Sequence, residues 1–166
     1  QFLQKQFNEK DGVLVKCDPI QVFCGGNTAN GNPDLKWLGA DSANYYNSYD
    51  VKSDHGWGEL MELIEKINFD FDNLGDVLNI DRVLWAFAVN SAILNLDTYN
   101  GYYVHNYYLY RTEDGLFQMI PWDFDNSFAG AILGWEFFDP MLVYNYDTYG
   151  NQYAPNERPL LEKLLN

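Results

Sequence analysis

The chain has 166 residues, 47% of them hydrophobic and 17% aromatic, so its length and composition fit one domain with a hydrophobic core and exclude global disorder. Its 24 acidic and 10 basic side chains give a formal net charge of −14, and because such a surface repels phosphate backbones, no nucleic-acid partner is expected. No apolar run approaches the roughly 18 to 20 residues of a membrane-spanning helix, so no transmembrane segment is expected in this chain.

The first third of the chain predicts a short helix, a strand and a long loop. Residues 1–8 are typical of the end of a helix, and residues 13–17 form a β-rich run after the Asp11-Gly12 turn signal. Lys16 lies near the end of this strand, where we expect either a solvated side chain or a phosphate or carboxylate partner at a functional site. Residues 25–56 predict an irregular segment with at most a short strand over residues 45–51, and such long loops often act as lids or binding loops.

Two cysteines, Cys17 and Cys24, lie seven positions apart. They could face each other across a hairpin whose turn contains Asp18 and Pro19, where a disulfide is geometrically possible. Two buried thiols are the equal alternative. Without matching histidines, the two cysteines do not indicate a zinc site.

Two helices are predicted in the middle of the chain. Ser53 or Asp54 can cap the first, over residues 57–67, whose apolar residues have the spacing of one buried face: Trp57, Leu60, Met61, Ile64 and Ile67. Residues 69–79 predict a connector with a helical turn around residues 77–78. Asp81 is a good N-cap for the second helix, which runs to about residue 95. Because this helix is apolar on nearly all sides, we expect it to be a buried central helix.

The second half of the chain predicts a hairpin, a loop and a final helix. Residues 102–111 have the tyrosine and valine content of a strand, residues 113–115 form a turn, and residues 116–120 form the returning strand, which Pro121 ends. A loop follows to residue 156, and Pro159 begins the last helix. The predicted fold class is α+β. Because the chain starts with Gln1 and ends inside this helix, we interpret residues 1–166 as a fragment of a single domain.

Three carboxylates and an amide stand where regular structure is predicted to end: Asp97, Asn106, Asp123 and Asp125. A carboxylate after the C-terminus of a helix needs a cation, a metal or a hydroxyl to compensate the helix dipole. The order of these residues has the logic of the phosphoryl-transfer half of a protein kinase, where one Asp orients or deprotonates the attacking hydroxyl and an Asn and a later Asp hold metal. Asp97 and Asn106 are nine positions apart, whereas the kinase motif has a spacing of five.

Two other interpretations of these side chains stay open. They could stabilise turns only, through local bonds to the backbone. They could also form the acid pair of a glycosidase, and an aromatic surface would suit sugars. His55 and His105 are too far apart and too poorly partnered to indicate a metal site or a catalytic triad, so we expect ordinary placement for both.

Two segments resemble the signature of the CotH-type (spore coat protein H) kinases. They are HNYYLY at residues 105–110 and IPWDFDNSF at residues 120–128. The similarity extends to Asp81 with its helix, to residues 95–97 and 158–160, and more weakly to residues 12–16. Ala129 stands where family members usually have glycine after Ser-Phe, which would stiffen that turn without removing a catalytic group.

The resemblance implies an atypical kinase-like fold, mainly its helical catalytic lobe, that transfers a phosphoryl group from ATP to serine or threonine of a protein substrate. Mg²⁺ or Mn²⁺ would be the cofactor. Asp97 matches the catalytic aspartate of the family, and Asp123 matches its chief metal ligand. Asn106 and Asp125 are candidate companions in the metal site. In the family, the N-terminal sheet and much of the nucleotide-binding lobe come before the region that this chain covers.

Lys16 and Trp122 are the candidate nucleotide-binding residues, with simple core packing as the alternative for Trp122. The family often occurs in secreted or cell-surface proteins, and a Cys17–Cys24 bridge would agree, so we expect an exported or cell-surface location. The rival hypothesis is a non-catalytic surface module, an adhesin or a carbohydrate-binding domain that keeps the kinase-like scaffold.

Overall fold

The computed structural model describes residues 1–19, 31–95, 97–101, 104–128 and 158–165. These residues form a four-stranded antiparallel sheet together with helices, which agrees with the predicted α+β class. The strands are β1 (Val13–Cys17), β2 (Tyr49–Val51), β3 (Tyr107–Arg111) and β4 (Phe117–Pro121). The α-helices are α1 (Phe2–Phe7), α2 (Trp57–Phe69), α3 (Ile80–Ala92) and α4 (Pro159–Leu165), and two 3-10 helices span Ser42–Tyr45 and Phe71–Asp76.

Strand β1 lies inside the sheet, whose order is β2-β1-β3-β4. Cys17 at its end is buried and is paired with Tyr49 of β2 on one side and with Tyr107 of β3 on the other. Both neighbours of Cys17 in the sheet are therefore distant parts of the chain. Cys24 itself, and with it the question of a disulfide, lies outside the described residues.

The β3–β4 hairpin is confirmed, with Gly115 at φ 88° in its turn, where a residue without a Cβ is favoured. The first strand of the hairpin is shorter than predicted. It begins at Tyr107 because Asn106 has φ 57°, a left-handed conformation that interrupts an extended run. Residues 102–103 are not among those described.

One buried cluster joins the sheet to the helices. In β1 its members alternate with less buried residues, as in a strand with one face on a core. It includes Val15, Leu109 and Met119 from the sheet, Leu60, Leu63, Ile64 and Ile67 from α2, Val83 and Phe87 from α3, and Leu160 and Leu161 from α4.

Helix α2 begins at Trp57 as predicted, but neither proposed cap is used. Gly56 is the N-cap residue, with φ 144° and no side-chain bond, and the Ser53 hydroxyl instead donates to the carbonyl of His55 over 2.6 Å. A Cβ on Gly56 would lie 2.5 Å from Val13 Cγ1. The chain passes so close to β1 at this helix end that a residue without a Cβ is favoured there.

Helix α3 begins and ends earlier than predicted. Its N-cap is Asn79, whose Oδ1 accepts the N–H of Arg82 over 3.1 Å, while Asp81 lies exposed in the first turn. The helix stops at Ala92, and Leu94 turns the chain with φ 51°.

The prediction that α3 is buried on most sides is wrong. Its buried side carries Val83, Ala86, Phe87 and Asn90. Its other side is exposed, and Trp85 there has 65% of its surface accessible. An apolar composition without a clear stripe does not say which side meets the sheet, and in this structure α3 packs on β4 along one side only.

The remaining connections differ in detail from the prediction. The turn of the connector lies at Phe71–Asp76 rather than at residues 77–78. Instead, Val77 accepts the N–H of Phe117, the first residue of β4, and Leu78 forms a β-bridge with the same residue. Helix α4 begins at Pro159 as predicted. Among the helices that the structure describes, none combines the length and the apolar character that crossing a membrane requires.

Buried tyrosine hydroxyls hold the irregular segment that precedes the first 3-10 helix. The Tyr49 hydroxyl accepts the N–H of Leu35 over 2.9 Å, and the Tyr99 hydroxyl donates to the carbonyl of Asp34 over 3.1 Å. Both rings are almost fully buried. These tyrosines thus satisfy loop backbone groups that would otherwise be buried without partners.

Candidate active site

Asp97 lies in the turn that follows α3, and a chain of amides ties its backbone to that helix. The Asp97 N–H donates to Asn95 Oδ1 over 3.2 Å, and Asn95 Nδ2 donates to Asn90 Oδ1, also over 3.2 Å. Asn90 belongs to the buried side of α3, and both asparagines are buried. A rigid helix therefore fixes the position at which the Asp97 side chain emerges.

The Asp97 carboxylate accepts hydrogen bonds from two side-chain amides and lies within ion-pair distance of a histidine. His105 Nε2 lies 3.1 Å from Oδ1, while Asn126 Nδ2 and Asn106 Nδ2 lie 2.8 Å and 3.2 Å from Oδ2. The Asp97 side chain is only 13% exposed. These contacts stabilise a carboxylate that lies beyond the negative end of a helix dipole. They supply the compensating partners that a carboxylate at this position was expected to need.

The segment from Trp122 to Phe128 is attached at both ends to the surroundings of Asp97. The Trp122 N–H donates to the carbonyl of Asn106 over 3.0 Å, and the Phe128 N–H donates to the carbonyl of Ile93 over 2.6 Å. Asp123 has φ 56°, a left-handed conformation that Asp tolerates better than most residues. The segment thereby reverses direction just after β4 and returns to the end of α3.

Asp123 and Asp125 form a pair of exposed carboxyl groups in this segment. The pKa of Asp125 is raised above its ordinary value because its carboxyl group hydrogen-bonds with that of Asp123 and lies near the negative charges of Asp123 and Asp97. The three carboxylates therefore belong to one site. Mutual repulsion of this kind is what a bound cation would relieve.

The donor set suits a cation that takes part of its ligands from substrate. Within the described ranges, no group of three or more His, Cys, Asp and Glu residues is arranged to hold a metal ion. Mg²⁺ at phosphoryl-transfer sites needs only one or two protein carboxylates, because phosphates and waters supply the other ligands. The Asp123–Asp125 pair meets that need. Asn106 directs its amide nitrogen to Asp97, so its amide oxygen is the atom that could contact a cation.

Trp122 is not part of the core. Its side chain is 53% exposed and stands edge-to-face against Tyr108, with ring centroids 5.4 Å apart. It borders a surface depression of about 450 Å³, together with Phe2, Ile120, Pro121, Asp123 and Phe124. An exposed aromatic wall therefore adjoins one of the site carboxylates.

Lys16 belongs to β1 and forms its ion pair outside the site around Asp97. It lies opposite Tyr108 of β3, and its ammonium group pairs with Asp18 rather than with Asp97 or Asp123. The hydrogen bond with Asp18 raises the pKa of Lys16. The carboxylate partner of Lys16 is therefore a residue that directly follows the same strand, and not a group of the site around Asp97.

Two site residues were missed in the sequence. The expectation that His105 is poorly partnered is wrong, since its imidazole contacts the Asp97 carboxylate, and Asn126 was not singled out at all. Each adjoins a residue that was chosen, because His105 precedes Asn106 and Asn126 follows Asp125. The position of each residue next to a candidate site residue in the same motif was the sequence feature that indicated it. His55 is an exposed histidine 3.9 Å from Glu59, as ordinary placement predicts.

Comparison with known proteins gives one match. The family model described as CotH kinase protein matches residues 1–166, the whole chain. No curated protein and no solved structure gives a significant match. The matched range includes all of the residues that form the site around Asp97.

Proposed function

The chain belongs to the CotH kinase protein family, and on that premise we propose that it is the catalytic portion of an atypical, kinase-like protein. The reaction would be transfer of a phosphoryl group from ATP to a serine or threonine hydroxyl of a protein substrate. The observation that carries the proposal is the pair of neighbouring exposed carboxyl groups of Asp123 and Asp125 close to the largely buried carboxylate of Asp97. Contacts with neighbouring side chains hold the Asp97 carboxylate, which suits a catalytic base. The Asp123 and Asp125 carboxyl groups are exposed and close to each other, which suits a metal site.

Asp97 is the proposed catalytic residue. Two amides and the imidazole of His105 contact its carboxylate, which would orient a substrate hydroxyl and accept its proton. Its backbone is fixed to α3 through Asn95, so the carboxylate is positioned before substrate arrives. Such positioning is a large part of catalysis in phosphoryl transfer.

Asp123 and Asp125 are the proposed metal ligands, with the amide oxygen of Asn106 as a companion. Mg²⁺ or Mn²⁺ held there would neutralise charge on the phosphates of ATP. The left-handed conformation of Asp123 places this pair on the return towards Asp97. In this proposal, Asp123 and Asp125 bind the metal ion that orients the phosphates, and Asp97 accepts the proton.

Trp122 and Lys16 are the proposed nucleotide contacts. The depression beside Trp122 has an aromatic wall next to Asp123. The adenine ring of ATP could stack on this wall while its phosphates lie near the metal site. Lys16 would reach phosphate after exchanging its bond to Asp18. This makes Lys16 the weaker of the two assignments.

The exposed aromatic residues also favour a second candidate, a non-catalytic adhesin or carbohydrate-binding module. Trp122 and Phe124 border the same depression and could stack on a sugar ring. An exported or cell-surface location, proposed from the family likeness, suits either candidate.

The test is phosphoryl transfer by the complete protein from γ-labelled ATP in Mg²⁺ or Mn²⁺. Asp97→Ala and Asp123→Ala should abolish transfer without loss of fold. Glu65→Gln, which neutralises an exposed acid on α2, should retain it and is the matched control. If the wild-type protein neither transfers phosphate nor gains thermal stability from ATP with Mg²⁺, while soluble sugars do raise its Tm, the binding module is the better assignment.

A further inference from the structure

His105 contacts the Asp97 carboxylate, yet none of the roles proposed above uses it. Its Nε2 lies 3.1 Å from Asp97 Oδ1, and the two side chains are 14% and 13% exposed. An ionised carboxylate can only accept hydrogen bonds, so the nitrogen that faces it carries the hydrogen. The contact is therefore a close approach of the imidazole nitrogen to Oδ1 in a partly enclosed place.

The donors around Asp97 are divided unequally between its two oxygens. Oδ2 accepts hydrogen bonds from Asn126 and Asn106, whereas Oδ1 has the His105 imidazole nitrogen 3.1 Å away. A carboxylate has about four lone-pair sites, two on each oxygen. Counted over the described residues, these contacts occupy both acceptor positions of Oδ2 and one of the two on Oδ1.

We propose that His105 is a positioning residue that holds Asp97 so that Oδ1 receives the proton of the attacking hydroxyl. This inference rests on the proposed function. As the hydroxyl oxygen forms its bond to the γ-phosphorus, the bond from that phosphorus to the bridging oxygen of ADP breaks. The hydroxyl proton passes to the remaining acceptor position of Asp97 Oδ1.

The need for His105 follows from the torsional freedom of an aspartate. The terminal torsion of Asp is broad and roughly two-fold, so bonds to one oxygen do not fix the direction of the other. A donor on each oxygen restricts that rotation. Because a misplacement of about 1 Å can lower a rate by about 100-fold, loss of this donor should affect the transfer step more than substrate binding.

The experiment compares two replacements of His105 that separate its ring from its donor. His105→Phe keeps a ring and removes the donor, whereas His105→Gln removes the ring and offers an amide N–H. We expect His105→Phe to lower kcat about 10- to 100-fold with little change in KM for ATP, and His105→Gln to recover most of kcat. His55→Phe, at an exposed histidine whose imidazole lies 3.9 Å from Glu59, is the control and should keep wild-type kcat.

A spectroscopic measurement tests the contact without any nucleotide. The imidazole of His105 should show an Nε2–H signal in nitrogen-15 NMR spectra of the wild-type protein, assigned by its absence in His105→Gln. In Asp97→Ala, the acceptor is gone, and the signal should shift or be lost by exchange with water. An unchanged signal in Asp97→Ala overturns the inferred contact.

The outcomes separate this inference from the proposed function. Wild-type kcat in both His105 variants, with Asp97→Ala still inactive, overturns the positioning role and leaves the kinase assignment in place. Equal losses of kcat and Tm in both variants, with a higher KM, indicate a structural role and also overturn it. Absence of transfer by the wild-type protein overturns both proposals.

Discussion

Asn126 donates its side-chain amide to Asp97 Oδ2 over 2.8 Å, across 29 positions of sequence. This is the shortest of the three contacts to that carboxylate. It joins the segment after β4 to the turn after α3, and so connects the proposed metal site with the proposed base. This hydrogen bond therefore brings residues that are far apart in the sequence into one site.

Asn126→Ala should lower phosphoryl transfer strongly while leaving the fold intact. A hydrogen bond to a charged group contributes roughly 1.5–3 kcal/mol, which corresponds to roughly a 10- to 100-fold loss of kcat/KM if the whole effect falls on the transition state. Steady-state kinetics of the complete protein would measure it. Asn73→Ala, which removes a similar 2.7 Å amide contact to Asp70 on the surface, should leave kcat/KM unchanged.

Asp125→Asn should raise the Tm of the metal-free protein at neutral pH. The pKa of Asp125 is raised by its hydrogen bond to Asp123 and by the charges around it, so the folded state binds that proton more tightly than the unfolded chain does. Wild-type stability from this group is therefore fully present below the unfolded pKa and is lost as pH rises through the folded pKa. The Tm advantage of Asp125→Asn should accordingly shrink as the pH is lowered.

Calorimetry between neutral and acidic pH would measure this advantage, with Asp72→Asn, at another exposed acid, as the control. The same substitution should reduce the stabilisation by ATP with Mg²⁺, because it removes a proposed ligand. A lower Tm for metal-free Asp125→Asn at neutral pH would contradict the repulsion inferred from the geometry.

Lys16→Met should weaken the rise in Tm that ATP with Mg²⁺ produces, because it removes the proposed phosphate contact. Lys52→Met is a close control. Lys52 lies just after β2 and pairs with Asp50, two positions away, as Lys16 pairs with Asp18. Equal thermal shifts in both variants and the wild type would remove Lys16 from the site.

Trp122→Ala should abolish most of the same nucleotide-induced stabilisation, since the exposed ring forms one wall of the depression beside Asp123. Trp85→Ala removes another exposed tryptophan, on α3, and should bind nucleotide like the wild type. Quenching of tryptophan fluorescence by ATP gives a second measurement. If sugars rather than ATP protect the wild type and lose that effect in Trp122→Ala, the aromatic wall belongs to a carbohydrate site.

Tyr99→Phe should destabilise the fold by about 1–2 kcal/mol, because the buried carbonyl of Asp34 loses its hydroxyl donor. Urea unfolding would show a lower midpoint with an unchanged slope. Tyr46→Phe, at an exposed hydroxyl, should change the free energy of unfolding by less than about 0.5 kcal/mol. Similar effects in the two variants would contradict the anchoring role of Tyr99.

The sequence alone was sufficient where short-range chemistry decides the structure. The β-rich run of β1, the Asp114-Gly115 turn and the first position of α4 at Pro159 were all predicted, because turn residues and β propensity act over a few positions. The matching family was also indicated by the two short motifs around Asn106 and Asp123.

Only the tertiary structure decided which surfaces meet. The composition of α3 did not reveal that Trp85 faces outward, since burial of one side depends on where β4 packs. Likewise, Asp97 gains its partners from residues at positions 105, 106 and 126, and no local pattern fixes such contacts. Backbone preferences act between neighbours in sequence, whereas the hydrogen bonds of a site depend on how distant segments are brought together by the core.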